Sequence, residues 1–222
     1  LPVSIEDPIG THEINVTGTL NVLMAAKENS VKKVIFSSSC AAYGEQPLPI
    51  REELVPKPMS PYGLHKLIGE NYCQLFSDLF KLETACLRYF NVFGPRKLAT
   101  GSYPMAIPIF LSQRSEKKKL TIVGDGEATR DYIHVRDVVD ANIRAWKSNV
   151  SDGRPINIGS GRQVSVNSIA KLIGGPTKNL PARAGEMRFI EADISLAKKL
   201  LGWYPTVTLE DGIAELKKEW GI

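Results

Sequence analysis

From residue 7 to residue 93, long segments with helical periodicity alternate with short apolar runs. Asp7-Pro8 and Ser60-Pro61 each combine a helix-capping side chain with proline at the first helical position. We therefore predict helices over 7–28 and 61–79 and buried strands over 34–36 and 84–90. Elements in this order predict an α/β protein whose parallel strands are joined by right-handed crossovers.

After Gly94-Pro95 the segments become shorter, which indicates a second, smaller α/β layer. The predicted elements are helices over 106–115, 135–147, 166–173, 195–200 and 209–220 and strands over 120–123 and 155–159. The apolar strand that ends at Gly159 is typical of a buried parallel strand, and we expect it to rejoin the first sheet.

The composition argues against several kinds of protein. The 222 residues are 43% hydrophobic and 23% charged, as in an ordinary globular domain. A net charge of +4 suits an anionic small molecule at a local site better than a nucleic acid. Cys40, Cys73 and Cys86 lack zinc-knuckle spacing and are odd in number, which favours a reducing, cytoplasmic location. Since no apolar run approaches roughly 18 residues, no membrane partner is expected.

Tyr62 and Lys66 are four residues apart near the start of the second predicted helix, so their side chains share one face. A phenol, with a pKa of about 10, is a poor base at neutral pH, but a neighbouring ammonium favours the phenolate. Ser39 lies at the carboxyl end of the preceding strand, where ligands bind in such sheets. Its hydroxyl can bridge Tyr62 and a substrate oxygen. Taken alone, the tyrosine–lysine pair is more typical of a surface pair that stabilises a helix than of a catalytic pair.

Four motifs in a fixed order supply the context. They are Phe36-Ser-Ser-Ser-Cys-Ala-Ala-Tyr-Gly44, Ser60-Pro-Tyr-Gly-Leu-His-Lys66, Leu87-Arg-Tyr-Phe-Asn-Val-Phe-Gly-Pro-Arg96 and Thr129-Arg-Asp-Tyr-Ile-His-Val135. Together they resemble the extended short-chain dehydrogenase/reductases that act on nucleotide sugars, in particular the UDP-glucose (UDP-galactose) 4-epimerase family. The resemblance implies a Rossmann-like, doubly wound parallel sheet that binds NAD and a smaller C-terminal α/β domain that binds a UDP-sugar. It assigns 1–93 and about 135–160 to the first domain and 94–134 and 161–222 to the second.

The same resemblance implies the site residues. Ser39, Tyr62 and Lys66 match the catalytic serine, tyrosine and lysine, and the lysine also holds the nicotinamide ribose. Further cofactor contacts are expected at Ser37, Tyr89, Phe90 and Asn15. Substrate contacts are expected at Ser39, at Asn91, Arg130 and Arg183 on the diphosphate, at Glu186 on the uridine ribose and at Ile190 in the sugar pocket. Asn15 is equally compatible with an ordinary helix residue, and Ile190 with an ordinary core residue.

The chain departs from the family pattern in one large respect. The glycine-rich strand-turn-helix that holds the NAD pyrophosphate does not occur between Leu1 and Ile222. The Gly-x-Gly turns at 124–126 and 159–161 do not replace it, because neither connects a central strand to a following helix. We expect the first half of the Rossmann unit to be missing from this sequence, and the chain by itself to expose a sheet edge and to aggregate.

The resemblance also implies a homodimer formed through the helices over 7–29 and 61–80. Their apolar residues include Leu20, Leu23, Met24, Leu75, Phe76 and Leu79. The same residues are compatible with an ordinary core face.

Residues after the catalytic serine separate the reactions of such enzymes. The 4,6-dehydratases carry Asp-Glu there, whereas this chain has Cys40 and Ala41, which offer no equivalent acid and base. The sequence therefore favours an NAD-dependent 4-epimerase of the UDP-glucose/UDP-galactose type that acts through a 4-keto intermediate. The alternatives are a non-catalytic NAD or nucleotide-sugar-binding protein and another nucleotide-sugar reductase or synthase.

Overall fold

A computed structural model describes residues 1–96, 105–181 and 188–222. The helices are α1 (Pro2–Glu6), α2 (Pro8–His12), α3 (Gly18–Glu28), α4 (Pro61–Phe80), α5 (Ala106–Ser115), α6 (Val135–Lys147), α7 (Val166–Ile173), α8 (Ser195–Leu201) and α9 (Leu209–Glu219). The strands are β1 (Lys33–Ser39), β2 (Glu83–Tyr89), β3 (Asn91–Phe93), β4 (Leu120–Val123), β5 (Thr129–His134), β6 (Asp152–Ile158), β7 (Gln163–Ser165) and β8 (Thr177–Leu180).

The main sheet is parallel and has the strand order β1-β2-β6. β1 and β2 pair from Lys33 opposite Glu83 to Ser39 opposite Tyr89. β6 pairs with the other side of β2. The parallel arrangement of the first two predicted strands and the return of the later strand are confirmed, while the domain boundaries stay a prediction.

The second layer contains two smaller sheets, with the orders β3-β5-β7 and β4-β8. The helices from α5 to α9 end within one residue of their predicted positions. Sequence analysis missed β3, β5, β7 and β8, because strands of three to six residues with many polar side chains show too little apolar alternation to be recognised.

Three hydrophobic clusters hold these layers together. One lies between the main sheet, α6 and α8 and includes Leu87, Ile156 and the fully buried Trp203. A second packs α5, α7 and α9 around the smaller sheets. The third joins α3 and α4 to the opposite face of the main sheet through Leu23 and Phe76.

The first predicted helix forms with an interruption. Asp7 caps α2 by accepting a hydrogen bond from the Gly10 amide at 2.9 Å, as predicted. α2 then continues through a π-helical turn over Glu13–Thr17 into α3. The sequence analysis did not predict this turn, because a single π-helical turn of five residues is too short to show a periodicity of its own.

Among the described strands β1 is one of the two edge strands of the main sheet, because it pairs only with β2. An apolar groove of about 400 Å³ runs between this edge and α3, lined by residues that include Val22, Val34 and Phe36. Aggregation of the chain by itself stays a prediction. Within the described residues no helix is both long and apolar enough to cross a membrane.

Candidate active site

The predicted catalytic residues lie where the carboxyl end of β1 meets the first turns of α4. Ser60 caps α4 by accepting from the Gly63 amide at 3.1 Å, as predicted. The Lys66 ammonium donates to the Ser37 carbonyl at 2.8 Å and lies 5.7 Å from the centre of the Tyr62 ring. Burial lowers the pKa of Lys66, and the nearby Glu70 carboxylate opposes this shift. The helix face that carries Tyr62 and Lys66 is thus tied to the strand that carries Ser39.

Two glycines allow α4 to approach β1 this closely. A Cβ atom on Gly63 would lie 2.4 Å from the Ala41 carbonyl oxygen, and one on Gly69 would lie 2.3 Å from the Phe36 ring. Sequence reasoning missed both residues. Their signal is their position, because glycine inside a helix costs about 1 kcal/mol relative to alanine and so points to a packing requirement.

The hydroxyl of Ser39 is oriented by the turn that follows β1. Its Oγ accepts from the Ala41 amide at 3.2 Å and so caps a short 3₁₀ turn over Cys40–Ala42. The neighbouring thiol is not an acid–base group at neutral pH, since burial, helped by the charge of Asp131, raises the pKa of Cys40 to about 12. This agrees with the sequence argument against dehydration.

The expected cofactor and diphosphate contacts at residues 89–91, where β2 ends and β3 begins, have distinct environments. The Tyr89 hydroxyl donates to Asn142 Oδ1 at 2.9 Å and lies 3.2 Å from the Ser37 hydroxyl. Phe90 is buried in the main core. Asn91 Oδ1 is buried and has no hydrogen-bond partner among the described residues. A buried polar atom of this kind is costly unless a ligand or water satisfies it, so Asn91 is suited to a binding site.

Asn15 lies in the π-helical turn between α2 and α3, a segment that packs against α4. Its side chain is partly buried, and its carbonyl accepts from the Thr19 hydroxyl at 2.6 Å. π-helical turns are frequent at functional sites. Its cofactor role stays a prediction.

The expected substrate residues of the second layer are only partly described. Arg130 donates to the carbonyls of Thr129 and Arg188, at 2.8 Å and 3.4 Å. Arg183 and Glu186 lie outside the described residues. Ile190 is 4% exposed and belongs to the main core cluster, so its surroundings are those of a core residue and its role in the sugar pocket stays a prediction.

Comparison with known proteins decides the family. Residues 1–159 match the model of the NAD dependent epimerase/dehydratase family. The chain belongs to this family. The UDP-glucose 4-epimerase of Mycolicibacterium smegmatis is 35% identical over 220 residues, which cover 96% of this chain and 70% of that protein.

Solved structures show the same relationship. The Thermotoga maritima UDP-glucose 4-epimerase with UDP-glucose is 36% identical and has a TM-score of 0.91, over 99% of this chain and 72% of that one. The Bacillus cereus UDP-glucuronic acid 4-epimerase with UDP-glucuronic acid and NAD is 34% identical and has a TM-score of 0.85, over 93% and 67%. The α/β, Rossmann-like fold is confirmed, and the chain is a member of the NAD-dependent UDP-sugar 4-epimerases.

The residues of this family member fit the nicotinamide end of NAD. Lys66 uses one of its three N–H donors on Ser37, and the described residues accept no other hydrogen bond from it. The remaining donors are suited to ribose hydroxyls. A glycine-rich turn for the pyrophosphate does not occur within residues 1–222.

Proposed function

We propose that this chain catalyses the 4-epimerisation of a UDP-sugar of the UDP-glucose/UDP-galactose type, with Tyr62 as the base. The observation that carries the proposal is the packing of α4 on β1, in which Lys66 donates to the Ser37 carbonyl at 2.8 Å beside Tyr62. This packing brings a phenol, an ammonium and the Ser39 hydroxyl to the carboxyl end of a parallel strand, where substrates bind in such sheets.

Each residue has a defined part in the proposed reaction. The Tyr62 phenolate takes the proton of the C4 hydroxyl, and the Ser39 hydroxyl holds the same oxygen through a hydrogen bond. The Lys66 ammonium favours the phenolate by its charge. NAD, which Lys66 would hold by its ribose, would supply a reversible acceptor for the C4 hydride. Net redox change is zero, and Cys40 and Ala41 provide no acid–base pair for elimination.

The test is Tyr62→Phe, with Tyr72→Phe on the same helix as its matched control. Loss of a positioned proton-transfer group should lower kcat for UDP-galactose about 10²- to 10⁴-fold. The melting temperature should stay close to that of the wild-type protein, and Tyr72→Phe should keep its rate. Epimerisation by Tyr62→Phe at the wild-type rate would show that the base is assigned wrongly.

Two alternative functions give different results in the same assays. A non-catalytic binding protein would bind a UDP-sugar without turnover. A reductase or synthase would consume reduced cofactor and release it in oxidised form, whereas a 4-epimerase keeps its cofactor and shows no net change in NADH absorbance. A panel of UDP-sugars, with product stereochemistry followed by NMR, separates these outcomes.

The preference for UDP-glucose rests on Ile190. Because isoleucine is smaller than tyrosine but branched, we expect UDP-glucose to be accepted and UDP-N-acetylglucosamine to enter as well, but less readily. Ile190→Tyr should lower kcat/KM for the N-acetyl sugar more than for UDP-glucose. The difference should correspond to no more than a few kcal/mol, which is how strongly a pocket discriminates between substrates that differ by a small group. Equal losses for both sugars would instead indicate overpacking of a core position, and no loss would also remove Ile190 from this role.

We also propose that the protein forms a homodimer through the helices α3 and α4. Met24, Leu75 and Leu79 are 36%, 49% and 67% exposed and are available for an interface. Leu23 and Phe76 are buried within the chain, so they belong to the core rather than to the interface. Sedimentation as a monomer at micromolar concentration would contradict the proposal.

A further inference from the structure

Three serines end β1, and their side chains alternate between the two faces of the sheet. Ser37 accepts from Lys66 through its carbonyl, and Ser39 starts the 3₁₀ turn. Ser38, between them, is 3% exposed. Its hydroxyl donates to the Glu70 carboxylate on α4. The sequence analysis gave no role to Ser38 or Glu70.

Glu70 is itself held in one position by Arg88 on β2. Arg88 Nε donates to Glu70 Oε1 at 2.8 Å and Arg88 Nη2 to Glu70 Oε2 at 2.6 Å. The two residues are 4% and 2% exposed. Arg88 also lies over the Tyr43 ring, with its guanidinium carbon 4.2 Å from the ring centre. A two-pronged pair of this kind fixes the orientation of the carboxylate that accepts from Ser38.

The position of this pair relative to the site is specific. Glu70 lies one helical turn after Lys66 on α4, so both side chains lie on the face that packs on β1. A buried ion pair often adds no net stability over apolar packing of the same volume. The pair contacts Ser38, which lies between Ser37, whose carbonyl holds Lys66, and Ser39, the proposed substrate contact. This location points to a role in the geometry of the site.

We propose that Glu70 is a positioning residue, which fixes through Ser38 the end of β1 that presents Ser39 and anchors Lys66. The inference rests on the proposed function for its effect on catalysis. Without the hydrogen bond between Ser38 and Glu70, the end of β1 keeps its backbone pairing with β2 but loses its side-chain tie to α4, so it can shift relative to α4. The ammonium and the serine hydroxyl then lose their fixed relation, and a displacement of about 1 Å can cost 10²-fold in rate.

The test compares two deletions of a buried serine hydroxyl at the contact of α4 with the main sheet. Ser38→Ala removes the link to Glu70 and leaves the pair with Arg88 intact. Ser77→Ala removes a hydroxyl on α4 that donates to the Leu82 carbonyl at 2.8 Å, away from the site. We expect kcat to fall about tenfold in Ser38→Ala, with KM changed less than twofold, and to stay within twofold of wild type in Ser77→Ala.

A second readout does not depend on turnover. Acetylation of Lys66 by acetic anhydride, measured by peptide mass spectrometry, should rise about threefold or more in Ser38→Ala and not in Ser77→Ala, because a freed lysine reacts faster. Wild-type kcat and Lys66 acetylation in Ser38→Ala would overturn the proposal, and so would an equal effect of Ser77→Ala. If the wild-type protein turns over no UDP-sugar, the proposed function fails, and the acetylation result still supports or overturns the positioning of Lys66.

Discussion

Replacing Gly63 with alanine tests whether the close packing of α4 against the end of β1 builds the site. A Cβ atom at this position would lie 2.4 Å from the Ala41 carbonyl oxygen, 3.1 Å from the Ala41 carbonyl carbon and 3.2 Å from Pro58 Cβ. Two of these atoms are backbone atoms, which cannot rotate away. Either the first turn of α4 or the 3₁₀ turn must therefore shift.

Two effects of opposite sign determine how Gly63→Ala changes the free energy of unfolding. Alanine favours the helix by about 1 kcal/mol over glycine, whereas forcing extra carbon into a packed contact costs about 1–3 kcal/mol. We expect the free energy of unfolding to fall by about 1 kcal/mol. Because Tyr62 is the preceding residue, the shift moves the base, and kcat should fall about 10- to 100-fold.

Gly18 in α3 is the matched control. A Cβ atom there would meet its nearest neighbour, the Glu13 carbonyl oxygen, at 3.8 Å, an ordinary van der Waals distance. Gly18→Ala should therefore raise the free energy of unfolding by about 0.5–1 kcal/mol and leave kcat unchanged. Urea unfolding and initial rates of epimerisation measure both variants. If Gly63→Ala is as stable as Gly18→Ala and fully active, the packing argument is wrong.

Two predictions concern pH. Burial lowers the pKa of Lys66. As the pH rises, the ammonium should therefore lose its proton, and kcat should fall, at a pH below the ordinary lysine pKa of about 10.4. Arginine stays protonated in this range, so Lys66→Arg should show no alkaline fall in the activity that the variant keeps. An unchanged pH profile would contradict the role of the ammonium. Burial also lowers the pKa of His134, so at acidic pH the unfolded chain binds a proton on this side chain more readily than the folded chain does. Stability should thus fall as the pH drops below about 6.5. His134 caps α6 by accepting from the Arg136 amide at 3.2 Å, and asparagine can also cap a helix. His134→Asn should therefore flatten the fall in melting temperature from pH 7 to 5, and an equally steep fall would refute the assignment.

The main sheet was predictable because its signals are local. Ser60 and Asp7 mark the starts of their helices, and apolar runs bounded by polar turns mark β1 and β2. The π-helical turn at Glu13–Thr17 and the short strands of the second layer were not predictable, because tertiary packing rather than local periodicity determines them.

The candidate site was likewise predictable only where its signals are local in the sequence. Tyr62 and Lys66 are found by their spacing, since four residues along a helix always bring two side chains to one face. The contact partners of that face depend on how α4 lies on the sheet. The close contacts of Gly63 with Ala41 and of Gly69 with Phe36 become visible only once the helix is docked on the strand.

Strand register explains why the buried charges of the site could not be predicted. In the observed pairing, Ser38 lies opposite Arg88, and both side chains face α4, where Glu70 contacts each of them. A shift of one residue would turn Arg88 to the other face and leave the Glu70 carboxylate buried without its cation. The network therefore disfavours every odd-numbered register shift between β1 and β2. The observed pairing, which places Ser39 beside Tyr89, is among the registers that keep Arg88 on the side of Glu70, so the residues that we propose to position the site also help to determine the sheet on which the site is built.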